Sequence, residues 1–152
     1  MKILLKNKKV IHDYIIMDAY EAGLRLTGDE VKSLRQGQGK IADAYVHQKE
    51  QGLVLSGLHI PPYASSANPK IHDSNRPRTL LMHKREIRKL CGTVSRQGLT
   101  LIPTKIYVNS KGYIKAEVAL TKGKTKADKR ETLKQRSWQR HQQQLLKKSY
   151  LS

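Results

Sequence analysis

The last 32 residues of the chain, 121–152, hold the side chains whose chemistry is easiest to interpret. They include ten Lys or Arg residues and two acidic ones, and so supply +8 of the formal net charge of +18. Dense positive charge binds polyanions, and RNA is the polyanion that we expect here. The apolar residues are too few to offset the entropy lost on ordering, so we predict a basic tail that is disordered when free.

The composition also argues against several classes of protein. The longest apolar runs are four or five residues, so no segment is predicted to span a membrane or to act as a signal peptide. A single cysteine, Cys91, permits no internal disulfide, and these features together predict a cytoplasmic protein. The six histidines lack metal-ligand spacing, and no phosphate loop, Ser-His-Asp set or paired carboxylates occur. We therefore predict no metal, no cofactor and no catalytic residue.

The distribution of charge predicts three segments. Residues 1–11 contain four lysines and no acid, and form a predicted basic N-terminal arm. Residues 12–120 carry a net charge of +6 and are long enough for one folded RNA-binding domain. Residues 121–152 are the basic tail.

Clustered and alternating apolar residues predict about six strands in the folded segment. Their ranges are 12–17, 22–26, 42–48, 53–60, 99–108 and 114–120. A turn is expected near Glu21 and Gly23, and hairpin turns at Glu50-Gln51-Gly52 and at Asn109-Ser110-Lys111-Gly112. Pro103 indicates an edge position or a bulge within its strand.

Two short helices are predicted between these strands. Thr27 and Glu30 match the Thr-x-x-Glu capping box, with Val31 and Leu34 on the buried side of the helix that follows. A second helix is predicted over 79–90, ended by Gly92 or by Gly98. Six strands and two helices with mostly short connections favour a mainly β (α+β) fold. The architecture expected is a small oligonucleotide-binding barrel, closed or partly open, with a face toward RNA.

Several short motifs follow one another in a distinctive order and spacing. They are Asn7, His12-Asp13-Tyr14, Glu21-Ala22-Gly23, Gly28-Asp29-Glu30-Val31-Lys32-Ser33-Leu34-Arg35, Arg76, Arg78, Leu80-Leu81, Arg85-Glu86, Gly98-Leu99-Thr100, Gly123-Lys124 and Asp128-Lys129-Arg130. Together, from about residue 7 to residue 140, they resemble the SsrA-binding protein (SmpB) family.

The resemblance implies a specific function. Members of that family bind the tRNA-like domain of transfer-messenger RNA and enter the vacant decoding site of a stalled ribosome. Their tail lies in the empty mRNA channel of the small subunit and becomes helical there. Translation then resumes on the RNA's own reading frame, and the unfinished protein is tagged. We expect the protein to act as a monomer on the RNA.

The resemblance also implies a set of RNA-binding residues in the N-terminal arm and the folded segment. For Glu21 the alternative is a surface salt bridge, but a carboxylate can accept hydrogen bonds from the exocyclic amines of bases. Leu81 in a helix would ordinarily belong to the core, and His83 replaces an Asn of some members while still able to stack on a base. The full set is Asn7, Glu21, Lys32, Arg35, Leu81, His83 and Lys115.

The basic members of this set are interpreted as phosphate contacts. Lys115 would position RNA rather than read its sequence. A solvated helix side explains Lys32 and Arg35 equally well, and Asn7 is expected in a loose basic arm.

The tail motif implies contacts with the ribosome and the mRNA channel. Asp128 with Glu131 can cap a helix of about 20 residues, which would span roughly 30 Å. Trp138 is either filler or a residue that stacks on RNA. Thr125 and Ala127 depart from the family pattern. The predicted tail contacts are Gly123, Lys124, Lys126, Asp128, Lys129, Arg130 and Trp138.

Two other functions remain as alternatives. One is a different ribosome-associated barrel, such as an assembly factor or a ribosomal protein. The other, weaker because catalytic motifs are lacking, is a structure-specific RNA enzyme.

Overall fold

Seven antiparallel strands and three helices make up the part of the chain that the computed structural model describes, residues 1–50, 52–66, 71–123 and residue 140. In chain order they are β1 (Lys2–Lys6), α1 (Lys9–Asp13), β2 (Tyr14–Leu24), α2 (Gly28–Arg35), β3 (Tyr45–Lys49), β4 (Gly52–Ser56), β5 (Arg78–Leu81), α3 (Lys84–Gln97), β6 (Thr100–Val108) and β7 (Ile114–Gly123). Within these residues no helix has the length and apolar character needed to cross a membrane.

Six of the strands close a barrel. The hydrogen-bonded order is β6, β3, β4, β5, β2 and β7, and β7 returns to pair with β6. Strand β1 adds to the part of β6 that β3 leaves open, because β3 pairs at Leu101 and β1 pairs farther along, with Leu5 opposite Ile106. Inward-facing residues such as Ala22, Leu80 and Ile106 fill the core. The predicted mainly β barrel is therefore confirmed.

The elements encoded by local signals are also confirmed. Thr27 Oγ1 accepts from the Glu30 N–H at 3.2 Å, and the Glu30 carboxylate accepts from the Thr27 N–H at 2.9 Å, which completes the capping box. Strands β3 and β4 pair around residue 50, and β6 and β7 pair around the 109–112 turn. The register of β6 shifts between Pro103 and Lys105, so Pro103 lies at a bulge.

The prediction of two separate strands, 12–17 and 22–26, is wrong. Strand β2 runs without interruption from Tyr14 to Leu24, and Glu21 lies within it rather than at a turn. The reason is long-range pairing, because β2 follows β7 from the Tyr14–Gly123 pair to the Gly23–Lys115 pair. Gly23, which suggested a turn, is accommodated inside the sheet.

The predicted helix over 79–90 is wrong at its start. Residues Arg78–Leu81 form β5, and α3 begins at Lys84 and continues to Gln97. Leu80 is 3% exposed and Leu81 is 48% exposed, as expected for neighbours on opposite faces of a strand. Of the two glycines considered as the helix end, Gly98 is the one, with a left-handed φ of 62°.

The ends of the barrel differ from the predicted segment limits. Residues 2–6, expected in a loose basic arm, form β1 and pair with β6. At the other end β7 reaches Gly123, three residues beyond the predicted strand end at 120. Thr121 is fully buried there, and its hydroxyl donates to the Thr100 carbonyl at 2.9 Å.

A buried ion cluster joins α2 to β5. The Glu30 carboxylate accepts from Arg78 Nε at 2.7 Å and also from Arg76. Arg78 is 0% exposed, and it donates further to the Leu58 carbonyl and to the Ser74 carbonyl, the latter at 3.1 Å. Every charge in the cluster thus has a hydrogen-bonded partner, which is the condition for tolerating charges in a protein interior.

The cluster keeps Glu30 ionised. Burial is the largest influence on the pKa of Glu30 and would raise it. The hydrogen bonds from the Thr27 N–H, Arg76 and Arg78 together outweigh burial and lower the pKa below its ordinary value. A carboxylate whose pKa is lower in the folded state adds stability that is complete well above its unfolded pKa of about 4.3 and is lost as pH falls through the folded pKa.

We predict that Glu30→Gln lowers the free energy of unfolding by about 3–5 kcal/mol at pH 7, because Arg78 keeps its burial but loses its counter-charge. Urea denaturation followed by circular dichroism measures this. The difference from the unaltered protein should shrink as the pH falls below the unfolded pKa of about 4.3 and then through the lower folded pKa, where Glu30 becomes protonated.

Asp43→Asn is the matched control. Asp43 forms an exposed pair with Lys9 at 3.7 Å, and exposed pairs add little stability. Equal losses in the two variants, or a Glu30→Gln difference that does not change with pH, would contradict the role assigned to the cluster.

Candidate nucleic-acid interface

A row of outward-facing residues crosses four neighbouring strands of the barrel. Gly23 on β2 lies opposite Leu81 on β5 and opposite Lys115 on β7, and Lys115 lies opposite Tyr107 on β6. The inward neighbours Leu80, Ala116 and Ile106 are buried in the core. The core therefore fixes the direction of the row, and a one-residue slip in register would reverse it.

A concave pocket of about 490 Å³ lies over the β2, β5 and β7 members of this row. Gly23 leaves space in it, since a Cβ at that position would come within 3.2 Å of Leu81 Cβ. Four of the predicted RNA-binding residues, Glu21, Leu81, His83 and Lys115, line the pocket. The remaining lining residues are Gly23, Leu80, Met82 and Glu86.

Glu21 is the exposed acid at one side of the pocket. Its Oε2 accepts a hydrogen bond from the hydroxyl of Tyr107, which is only 5% exposed. The alternative of a surface salt bridge is not observed, because Glu21 has no ion-pair partner among the described residues. The carboxylate thus keeps its charge and its capacity to accept further hydrogen bonds.

Glu117 has the opposite environment although it lies directly across from Glu21 on β7. Lys105 Nζ is 3.3 Å from its carboxylate, and the Thr104 hydroxyl donates to it at 2.9 Å. Two like charges face each other, and the lysine neutralises only one of them.

Leu81 and His83 form the apolar and aromatic part of the pocket. Leu81 ends β5 with nearly half of its surface exposed, and His83 is the exposed residue immediately before α3. The His83 side chain forms no hydrogen bond with the first turn of α3, so its ring does not cap the helix. An exposed leucine and an imidazole at this junction can both contact the face of a base.

The predicted α2 residues lie outside this pocket. Lys32 Nζ is 5.5 Å from the centroid of the Tyr63 ring, and Arg35 Nη2 donates to the Gly112 carbonyl at 3.4 Å. Both are exposed, and the contact of Arg35 with Gly112 lies in the β6–β7 turn. This places positive charge beside the last strand.

Asn7 lies in the interior rather than in a loose arm. It is 3% exposed, its Nδ2 donates to the Pro103 carbonyl at 3.0 Å, and its backbone N–H donates to Thr104 at 2.7 Å. These bonds attach the end of β1 to the bulge in β6.

The tail residues can be located only in part. Gly123 is the last residue of β7. The other predicted tail contacts, Lys124, Lys126, Asp128, Lys129, Arg130 and Trp138, lie outside the described residues.

Sequence reasoning missed Tyr107 and Glu86 as neighbours of the site. A signal for Tyr107 existed, because the predicted hairpin turn places Tyr107 opposite Lys115. Its contact with Glu21 could not be anticipated, since it depends on β7 lying between β6 and β2. The position of Glu86 beside the pocket was not predicted, because the helix was expected to begin too early in the chain.

Comparisons with known proteins agree with the motifs. The family described as "SmpB protein" matches residues 4–148. The "SsrA-binding protein" of Sphingomonas elodea is 49% identical over 147 residues, which cover 97% of this chain and 91% of that protein. The "SsrA-binding protein" of Thermosipho melanesiensis is 48% identical over 147 residues, which cover 97% of this chain and 99% of that protein.

A solved structure supports the same relationship at the level of the fold. A chain from the structure described as "tmRNA-SmpB: a journey to the center of the bacterial ribosome" superposes with a TM-score of 0.66 and 41% sequence identity. The match covers 85% of this chain and 93% of that one. On its motifs, its sequence and its barrel, this chain belongs to the SmpB family.

Proposed function

We propose that this protein binds the tRNA-like domain of transfer-messenger RNA and delivers that RNA to stalled ribosomes for trans-translation. The observation that carries the proposal is the pocket in which Glu21, Leu81, His83 and Lys115 meet, in a chain of the SmpB family. In this role the protein is a cytoplasmic RNA-binding protein and not an enzyme. One protein molecule acts on each RNA.

The pocket residues take different parts in binding. Glu21 accepts a hydrogen bond from an exocyclic amine of a base, which a lysine cannot do. Leu81 and His83 support the face of the base. Lys115, with Lys32 and Arg35 on α2, neutralises phosphates and positions the RNA. Recognition of the base and attraction of the backbone are therefore assigned to different side chains.

The tail supplies the second half of the proposed function. Residues 124–152, which follow β7 directly, contain nine Lys or Arg residues and two acids, a net charge of +7. We assign residues 124–152, with Gly123 as the junction, to the decoding site and the vacant mRNA channel of the small subunit, where the tail becomes helical. Such a segment binds only where mRNA has left the channel empty, which directs the complex to stalled ribosomes.

A competition experiment tests the proposed partner. At one fixed salt concentration, since phosphate contacts make affinity salt-dependent, the full chain should prefer transfer-messenger RNA to bulk tRNA by at least tenfold. Equal affinity for the two RNAs would refute the specific function and favour another ribosome-associated barrel protein. Sequencing the RNA that co-purifies with the protein provides an independent check.

Exchanging single carboxylates tests the pocket. We predict that Glu21→Gln weakens binding to transfer-messenger RNA by about 10–100-fold, because the RNA loses a charged acceptor of about 1.5–3 kcal/mol. Glu117→Gln, its cross-strand neighbour, should change the affinity by about twofold or less, since Lys105 already occupies that carboxylate. Fluorescence anisotropy with labelled RNA measures both. Similar losses in the two variants would show that general charge, not this site, controls binding.

Truncation separates the barrel from the tail. The cut belongs after Gly123, because β7 continues to that residue and Thr121 is buried. We expect the 1–123 protein to retain affinity for transfer-messenger RNA within about fivefold. It should lose tagging on stalled ribosomes in a reconstituted translation system. Tagging by the truncated protein would refute the role of the tail, whereas loss of RNA binding would place the RNA site there.

A further inference from the structure

Tyr107 reaches Glu21 across an intervening strand. Its β6 position is opposite Lys115 on β7, and β7 separates it from β2. The hydroxyl donates to Glu21 Oε2, a contact between residues 86 positions apart in the chain. This hydrogen bond therefore exists only because the barrel brings three strands together.

The Tyr107 ring is held in one place. The residue is 5% exposed although it faces outward, and Lys105 Nζ lies 5.6 Å from the ring centroid. The same Lys105 nitrogen forms the ion pair with Glu117. One lysine thus neutralises Glu117 and covers the ring that holds Glu21.

A neutral donor has a different effect on Glu21 from that of a cation. A lysine or arginine partner would neutralise the carboxylate and compete with an incoming base amine. The phenol fixes one oxygen, leaves the negative charge in place and leaves Oε1 to accept. Burial, and then the adjacent Glu21 carboxylate, raise the pKa of Tyr107, so the hydroxyl remains a donor at physiological pH.

An oriented carboxylate is also a better acceptor than a mobile one. An exposed glutamate loses rotamer entropy when it binds, and a hydrogen bond formed beforehand removes part of that loss. The directional preference of a hydrogen bond then restricts which base edges Oε1 can meet.

We propose that Tyr107 is a positioning residue for RNA recognition, which orients Glu21 so that a single carboxylate oxygen accepts from the base. The inference rests on the proposed function, and it adds a residue that the family motifs in this sequence did not include. Tyr107 itself need not touch the RNA.

A double-mutant cycle tests the proposal with the full chain and the tRNA-like domain of transfer-messenger RNA as the probe. Tyr107→Phe removes only the hydroxyl, and we expect binding roughly fivefold to tenfold weaker. In a Glu21→Ala background the same substitution should change the affinity less than about twofold, because no carboxylate remains to be oriented. Tyr113→Phe is the matched control, since Tyr113 is 65% exposed in the β6–β7 turn, and it should bind like the unaltered protein.

The outcomes distinguish this proposal from the function on which it rests. If the unaltered chain does not prefer transfer-messenger RNA to tRNA, the proposed function fails. If it does and Glu21→Ala weakens binding, but Tyr107→Phe binds within twofold of the unaltered protein, only the role of Tyr107 is refuted. Equal losses from Tyr107→Phe with and without Glu21 would also refute it, because the hydroxyl would then act through packing or direct contact. Thermal unfolding of each variant, expected to be unchanged within a few degrees for Phe, identifies a loss caused by folding.

Discussion

The pocket depends on one buried interaction, the bonding of Arg78 to Glu30. Arg78 is the first residue of β5, so the cation that pairs with Glu30 also fixes where β5 begins. Leu81 follows three residues later in the same strand, and its pairing with Gly23 gives the pocket its shape. Because Glu30 belongs to the capping box of α2, the cluster also ties that helix to the strand. A buried charge without its partner is costly, so arrangements that separate Arg78 from Glu30 are disfavoured.

Closure of the barrel brings the residues of the proposed RNA site together. Glu21, Leu81 and Lys115 come from three strands that are far apart in the chain and adjacent in the sheet. Inward neighbours bury their side chains in the core and force these residues outward. Three of the four predicted residues in the pocket thus lie on strands rather than on loops, which limits the movement of their side chains.

Local signals predicted part of this structure. The Thr27–Glu30 capping box and the 109–112 turn are formed by contacts between residues close together in the chain. The helix α2 and the last hairpin could therefore be recognised from the sequence. The continuity of β2 could not be recognised from the sequence, because pairing with β7 outweighs the turn signal of Gly23. Leu80 and Leu81 favoured a helix, and only their opposite exposures identify a strand. Glu30 was recognised as a helix cap, but its ion pair with Arg78, 48 residues away, required the fold.

The charged residues of the protein have two different roles, general attraction of RNA and discrimination between RNAs. A net charge of +18 attracts any polyanion, and such attraction alone cannot distinguish one RNA from another. Discrimination needs an acceptor that is not neutralised by an ion pair and is held in one orientation. In the barrel, Glu117 forms an ion pair with Lys105, whereas Glu21 accepts a hydrogen bond from a tyrosine hydroxyl. In the proposed function, a pocket acid with a neutral partner in a basic protein is thus the feature by which attraction to RNA in general becomes selection of one RNA.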